Sequence, residues 1–301
     1  MVLKNNSFSQ EQAIKEEETK LSGFFSLPFQ IFDRGKKNVN VLNLKGIIGS
    51  LGIGKKGMDL YSLNDLIEKA FETKKLAAVC LNINSPGGSP VQSELIAKRI
   101  MQLSEEKDVP VYSFVEDMAA SGGYWLACAG HEIYASKSSI IGSIGVITKG
   151  FGLSKVIEKW GIERRVYAQG NNKSILDPFV DEKEEDLKIL TKAQENIYHH
   201  FVEYVKSRRR GRLTQSDDFL FNGAFWCGQN ALDYGLIDGI DDLYSFIYKK
   251  FGKNANIKHV KTKESFFKKL LSFELSTKVN TDEMLHNIKE EILSQNNIYF
   301  S

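Results

Sequence analysis

Cysteine, proline, surplus charge and long apolar runs are all scarce in this chain, and each scarcity removes a class of protein. Of 301 residues only three are cysteines, Cys80, Cys128 and Cys227. An odd count with no C-x-x-C pair supports neither a disulfide scaffold nor a cysteine-rich zinc site. It fits a reducing compartment, so a cytoplasmic location is expected. Five prolines exclude collagen-like and proline-rich linker classes. Forty Lys and Arg against 38 Asp and Glu leave a formal charge of +2, without the basic surplus of a nucleic-acid binder. No segment approaches the roughly 20 apolar residues needed to span a bilayer. The best apolar patch, GFFSLPFQIF at 23–32, is short, holds a proline and follows the acidic run Glu16-Glu17-Glu18, unlike a signal peptide. It reads as part of an N-terminal arm that packs on a neighbour or makes peripheral contact with a membrane surface.

What is present is globular. Apolar residues make up 42% and charged residues 26%, and the length suffices for a large core. Residues 1–37 are polar apart from the patch above and read as a loose extension. From Val39, VNVLNLKG alternates as a half-buried strand. The stretch Met58 to Lys74 places Leu63, Leu66, Ile67, Ala70 and Phe71 on one helical face, with Ser62 as a candidate cap. LAAVCLNI at 76–83 is almost continuously apolar, as a strand buried on both faces should be. A second amphipathic helix carries Val91, Leu95, Ile96, Ile100 and Met101. Strands are expected at Pro110–Val115, Glu132–Ala135 and Ile140–Ile147, with a helix opening near Ser121. This rhythm predicts an α/β domain built from crossover units. A long helix over Asp181–Arg210 should bury Leu187, Leu190, Ile197, Phe201, Tyr204 and Val205. Its end, Arg208-Arg209-Arg210 with Arg212, suits either a phosphate patch or a helix dipole. Beyond Lys250 the chain is lysine-rich, with two short helices expected at Lys263–Phe273 and Asp282–Ser294.

Two glycine turns carry the chemistry, each after a strand: Asn84-Ser85-Pro86-Gly87-Gly88-Ser89 and Ala120-Ser121-Gly122-Gly123-Tyr124. Glycine lets a backbone N–H face a ligand with no Cβ in the way. Two such turns at neighbouring strand ends could aim two N–H groups at one oxygen, the geometry of an oxyanion hole. Ser121 stands where the second turn becomes a helix, as an exposed nucleophile or simply as an N-cap. No histidine presents itself as its base. His131 lies at the far end of a short helix, His199 and His200 lie mid-helix, and HExxH and Walker patterns are absent. A lysine with a lowered pKa could serve instead. Lys173 differs from the solvated lysines by following Gly170-Asn171-Asn172 and preceding an apolar, proline-containing stretch.

Together, INSPGGS at 83–89, ASGGYW at 120–125, IGSIGVI at 141–147 and FNGAFWCGQNALDYGLIDGI at 221–240 resemble peptidase family S49, the signal peptide peptidase A group. INSPGG by itself also occurs in the caseinolytic protease ClpP. The resemblance covers about residues 39–248. It implies an α/β fold of the ClpP/crotonase type, a spiral of β-β-α units, with one catalytic domain at 38–250 between an N-terminal arm (1–37) and a C-terminal helical tail (251–301). It further implies a serine endopeptidase with a Ser–Lys dyad acting through an acyl-enzyme. Ser121 would be the nucleophile, and Lys173, 52 residues later, the base. Ser143 would hydrogen-bond the lysine, and the oxyanion donors would be the N–H groups of Gly87 or Gly88 and of Gly122. No metal or organic cofactor is called for. Peptide substrates, including signal-peptide remnants or other unstructured hydrophobic peptides, and a homo-oligomeric ring or dome are implied as partners, with no nucleic acid. Two other readings stay open: a crotonase-like acyl-CoA enzyme using the same oxyanion hole, and a non-catalytic oligomeric scaffold.

Overall fold

The computed structural model describes residues 36–49 and 57–261. The apolar patch at 23–32 and the two helices expected after residue 262 lie outside the described residues. Eight strands form one sheet: β1 (Asn38–Lys45), β2 (Leu76–Ser85), β3 (Val111–Ala120), β4 (Glu132–Ala135), β5 (Ile140–Gly142), β6 (Phe225–Cys227), β7 (Gly239–Ile240) and β8 (Asn256–His259). The main path runs β6-β5-β3-β2-β1-β8, with β4 bridging β3 and β7. Every pairing is parallel except β5 with β6. Parallel neighbours require crossovers, so the α/β class follows as expected. The sheet runs past residue 250, because β8 pairs with β1 from Asn38↔Asn256 to Val41↔His259. Residues 256–259 are therefore strand and not part of a helical tail.

Helix α1 (Leu60–Phe71) buries Leu63, Ile67, Ala70 and Phe71, the stripe its spacing predicts. Its cap is Asp59, not Ser62. The Asp59 side chain accepts from the Ser62 N–H at 2.7 Å and Ser62 reaches back to the Asp59 backbone, a capping box in which serine is the third residue. Helix α2 (Pro90–Lys107) starts at the Ser89 cap with proline in its first turn. Both pack over one sheet face, together with the short helix α3 (Gly122–Ala127), all six residues of which are buried. The opposite face is covered by α8 (Leu243–Phe251), where Phe246 meets Tyr112, Phe114 and Tyr134 at ring-centroid distances of 5.0, 5.1 and 4.6 Å. With both faces covered, β2 has to be apolar on both sides.

Strand β3 is longer than the sequence pattern suggests, and one of its edges serves two partners. Its first half pairs with β4, from Tyr112↔Glu132 to Val115↔Ala135. Its last three residues pair with β5, ending at Ala120↔Gly142. Ser139 closes the gap by donating its hydroxyl to the carbonyls of Val115 and Glu116. Strand β5 stops well short of Ile147, because Gly142 and Ser143 take φ values of +111° and +51° and swing the chain out of the ladder.

From there the chain leaves the body. Residues 149–173, including α4 (Ser154–Lys159), are almost entirely exposed. Helix α5 (Glu184–Arg208) then returns, 25 residues or about 37 Å long. Only Phe201, Val202 and Val205 of α5 are buried. Leu187 and Ile197 of the expected stripe stay exposed and Leu190 is half-buried, because among the described residues little packs against the N-terminal half of the helix. Two short helices follow, α6 (Asp217–Leu220) and α7 (Gly228–Asp233).

Candidate active site

Ser121 follows the last residue of β3 and precedes the first of α3. Its backbone sits at φ +52°, ψ −124°, a region that a side chain rarely occupies and that costs on the order of 1–3 kcal/mol. The neighbours impose it. The Ser121 N–H donates to the Gly142 carbonyl at 2.8 Å, and its carbonyl accepts from Tyr124 and Trp125 at 2.9 and 3.1 Å. The side chain makes no capping hydrogen bond. The N-cap explanation of this serine therefore fails, and the hydroxyl is left uncommitted to the helix.

The two glycine turns meet at this serine. A Cβ on Gly87 would fall 2.7 Å from the Gly122 nitrogen, 2.8 Å from the Ala120 carbonyl oxygen and 2.9 Å from the Ser121 Cβ. Only glycine tolerates this approach, made at φ +96°. The two candidate donors, Gly87 and Gly88, differ in their prior commitments. The Gly87 N–H is already given to Ser85 Oγ at 3.1 Å, and its carbonyl accepts from the Ile48 N–H at 2.8 Å. Ser89 N–H in turn donates to the Ile48 carbonyl, so Ile48 occupies one edge of this strand. Among the described residues neither the Gly88 nor the Gly122 N–H has an acceptor. These two backbones face each other, since a Cβ on Gly122 would lie 3.4 Å from the Gly88 nitrogen.

Ser143 comes one residue after Gly142, the partner of Ala120 in the ladder, and so lies beside Ser121. Its φ of +51° is held by an N–H bond to the Ala224 carbonyl at 2.7 Å. Residues 223–226 brace this turn in a way sequence reading missed: Gly223 N–H donates to Ile144, and the Trp226 ring lies where a Cβ on Gly142 would come within 2.9 Å.

Lys173 is not brought to this cluster. It is exposed, its N–H donates to Gly170, and among the described residues its side chain has no hydrogen-bond or ion-pair partner. The structure thus assembles Ser121, Ser143, Gly87, Gly88 and Gly122, and leaves Lys173 on the projecting arm. Among the described residues, His131 and His200 are otherwise engaged. His131 Nδ1 accepts from the Val111 N–H, and His200 pairs with Glu94 at 3.3 Å while lying against Trp125. Cys128 is packed at the end of α3, where burial pushes its thiol up to about 11, too high for a thiolate nucleophile.

The arginine run at the end of α5 serves the protein itself. Arg208 donates to the carbonyls of Cys128, Ala129 and Gly130. Arg209 is buried and forks onto Asp238. A phosphate patch is thereby excluded for these two. An acidic partner to Arg209 some 30 residues on was the signal available, and it was not separable from other acids in the sequence.

The family model for peptidase family S49 matches residues 104–258, a span holding Ser121, Ser143, Lys173 and both arginines. The chain belongs to peptidase family S49. Among other members, it is 30% identical over 208 residues to a putative signal peptide peptidase SppA of Enterococcus faecium, covering 68% of this chain and 60% of that protein. To the putative protease SohB of Buchnera aphidicola it is 30% identical over 246 residues, covering 81% and 67%. A protein named Na(+)/H(+) antiporter NhaA, from Brucella melitensis, is 47% identical over 221 residues, covering 73% of this chain and 30% of that protein. The chain thus spans about a third of the antiporter and less than two thirds of the Enterococcus relative. No described helix of this S49 member is long and apolar enough to cross a membrane. A solved membrane-bound stomatin-specific protease with a substrate peptide matches 79% of this chain and 98% of its own, at 21% identity and a TM-score of 0.48.

Proposed function

We propose that this S49 member is a serine endopeptidase that cleaves extended peptides, with Ser121 as nucleophile. The observation that carries the proposal is the state of Ser121: a strained backbone, a side chain not used as a cap, and the neighbouring Gly88 and Gly122 N–H groups, neither of which has an acceptor among the described residues. A crotonase-type acyl transfer would use the two donors but would have no need of that serine.

In the proposed reaction Ser121 Oγ attacks the scissile carbonyl carbon. Its proton passes to the neutral Lys173 amine, and the carbonyl oxygen becomes an oxyanion facing the Gly88 and Gly122 N–H groups. The C–N bond then breaks as Lys173 returns the proton to the leaving amine, giving an ester on Ser121. Water, deprotonated by the same lysine, hydrolyses the ester. Ser143, next to Ser121, would orient the lysine. The substrate would lie along the edge of Gly88 opposite the one taken by Ile48, as an added strand. Backbone pairing of this kind suits unstructured hydrophobic peptides such as signal-peptide remnants.

Lys173 has to be delivered, and the arm that carries it has the composition of a covered surface. Phe151, Trp160 and Tyr167 are 84%, 76% and 92% exposed, more aromatic surface than a free segment leaves in water. We take the arm to be covered in a homo-oligomer, which would shield the lysine from bulk water. The catalytic unit is proposed as residues 38–250, extended by the β8 pairing.

The test is cleavage of unstructured peptides by the full chain, alongside labelling with a fluorophosphonate. Ser121→Ala should abolish both. Lys173→Ala should abolish cleavage while the protein still assembles. Undiminished cleavage in either variant rejects the assignment.

A further inference from the structure

Three side chains, Tyr124, Arg208 and Arg209, tie α3 and the loops beside it together. The Tyr124 phenol, fully buried and kept protonated because burial raises its pKa, donates to the Leu236 carbonyl at 2.7 Å. The loop presenting that carbonyl is pinned on either side by Arg209, whose Nε and Nη2 donate to the Gly235 carbonyl at 2.9 and 2.7 Å. Its Nη1 and Nη2 reach the two Asp238 oxygens at 2.6 and 3.1 Å. Asp238 also accepts the Ile133 N–H from β4 at 2.7 Å. Arg208 completes the set, with Nε on the Cys128 carbonyl at 2.8 Å and Nη2 on Gly130 at 3.2 Å.

We infer that Arg209 and Tyr124 are positioning residues for Ser121, Arg209 acting through the loop at Gly235–Asp238 and Tyr124 through α3 itself. The inference rests on the serine-peptidase reading. Two physical points carry it beyond ordinary packing. First, Ser121 is held in a backbone conformation it would not keep if α3 could slide. The chain anchors α3 at its N-terminal end through the Gly142 carbonyl, in its middle through Tyr124 and past its C-terminal end through Arg208. Second, an ion pair whose arginine is buried and whose aspartate is only 16% exposed is a poor device for stability, since apolar residues of similar volume usually do as well or better. What a bidentate guanidinium adds is fixed orientation, and here it orients the loop whose Leu236 carbonyl accepts from Tyr124 of the nucleophile helix. The same helix, α5, that ends in Arg208 begins 11 residues after Lys173. One rod therefore links the base-bearing segment to the floor under the nucleophile.

Tyr124→Phe removes the phenol O–H and keeps the ring, so folding should survive it. Arg209→Lys keeps the charge but cannot make the fork. The readout is fluorophosphonate labelling of the full chain, followed to saturation, together with kcat and KM for peptide cleavage. Expected for Tyr124→Phe is one label per chain at a rate roughly tenfold below wild type, with kcat lowered equally and KM unchanged. For Arg209→Lys the loss should approach a hundredfold, in the range of a misplacement of about 1 Å. A merely structural role predicts the reverse: fewer labelled chains and a lower melting temperature, but a wild-type labelling rate in the chains that do react. That result overturns the inference, and Tyr124→Phe decides it if Arg209→Lys does not fold. Absence of label on wild-type protein, or equal labelling of Ser121→Ala, rejects the peptidase reading and this inference with it. Normal wild-type labelling with an unaffected Tyr124→Phe rejects this inference only.

Discussion

Gly122→Ala should separate activity from stability more cleanly than any change at Ser121. The added methyl would meet Ser93 Oγ at 2.4 Å, Ile48 Cδ1 at 3.3 Å and the Gly88 nitrogen at 3.4 Å. The first contact forces Ser93 to rotate and give up its bond to the Ser89 carbonyl, 2.9 Å long, a loss of about 1 kcal/mol. Against this, alanine in place of glycine at a helical position returns roughly 0.5–1 kcal/mol of backbone entropy. The two nearly cancel, so the melting temperature should move by no more than a few degrees. The third contact does not cancel. It places a methyl group against one proposed oxyanion donor and beside the other, and losing one such donor costs about 3–4 kcal/mol of transition-state stabilisation in other proteases, or 100- to 1,000-fold in kcat. The assay is kcat for peptide cleavage beside a thermal melt. Adding Ser93→Ala should relieve the steric contact without restoring activity. A folded Gly122→Ala protein with wild-type kcat would refute the assignment of these donors, as would full rescue by Ser93→Ala.

Other expectations follow from the same structure. Asp242 caps α8 by accepting from the Tyr244 and Ser245 N–H groups, and bonds to Ser245 hold its carboxyl below the usual range. Asp242→Ala should cost about 1 kcal/mol at neutral pH. A depressed carboxylate stabilises the fold above its unfolded pKa and stops doing so as it protonates, so melts taken below about pH 4 should show the two proteins converging. Burial holds Cys80 and Cys128 up at about 12 and 11, while Cys227 is exposed. Mass spectrometry after iodoacetamide at pH 8 should therefore find one adduct on native protein and three after unfolding, and rapid native modification at three sites would contradict the packing around α3. Replacing Trp160 and Tyr167 together by Glu should reduce the sedimenting mass with no change in far-ultraviolet circular dichroism. An unchanged assembly would mean the arm is not an interface.

Much of the fold was legible because local chemistry and tertiary structure agree there. The apolar run at 76–83 is a central strand, and the α1 stripe is buried as its spacing demands. Legibility failed where backbone conformation broke a pattern. IIGSIGVI alternates and reads as a long strand, yet positive φ at Gly142 and Ser143 ends it after three residues. It failed again on α5, where a regular apolar stripe is only half used. Periodicity records which face is apolar, not whether this same chain covers it.

At the site, residue type and spacing determined which side chains could take part: a serine after a strand, glycines where N–H groups must come close, and a lysine on a glycine-bearing loop. They could not decide between the two meanings of Ser121 or between Gly87 and Gly88. Those readings turn on hydrogen bonds that form only in the folded chain. Ser85 Oγ takes the Gly87 N–H, Gly142 fixes the Ser121 backbone, and Arg209 with Asp238 sets the loop that α3 leans on. The sequence by itself determined the inventory of reactive groups and the class of sheet that would carry them. Only the tertiary structure decided which of those groups are already committed and which are free, because a donor's availability is a property of what has folded against it.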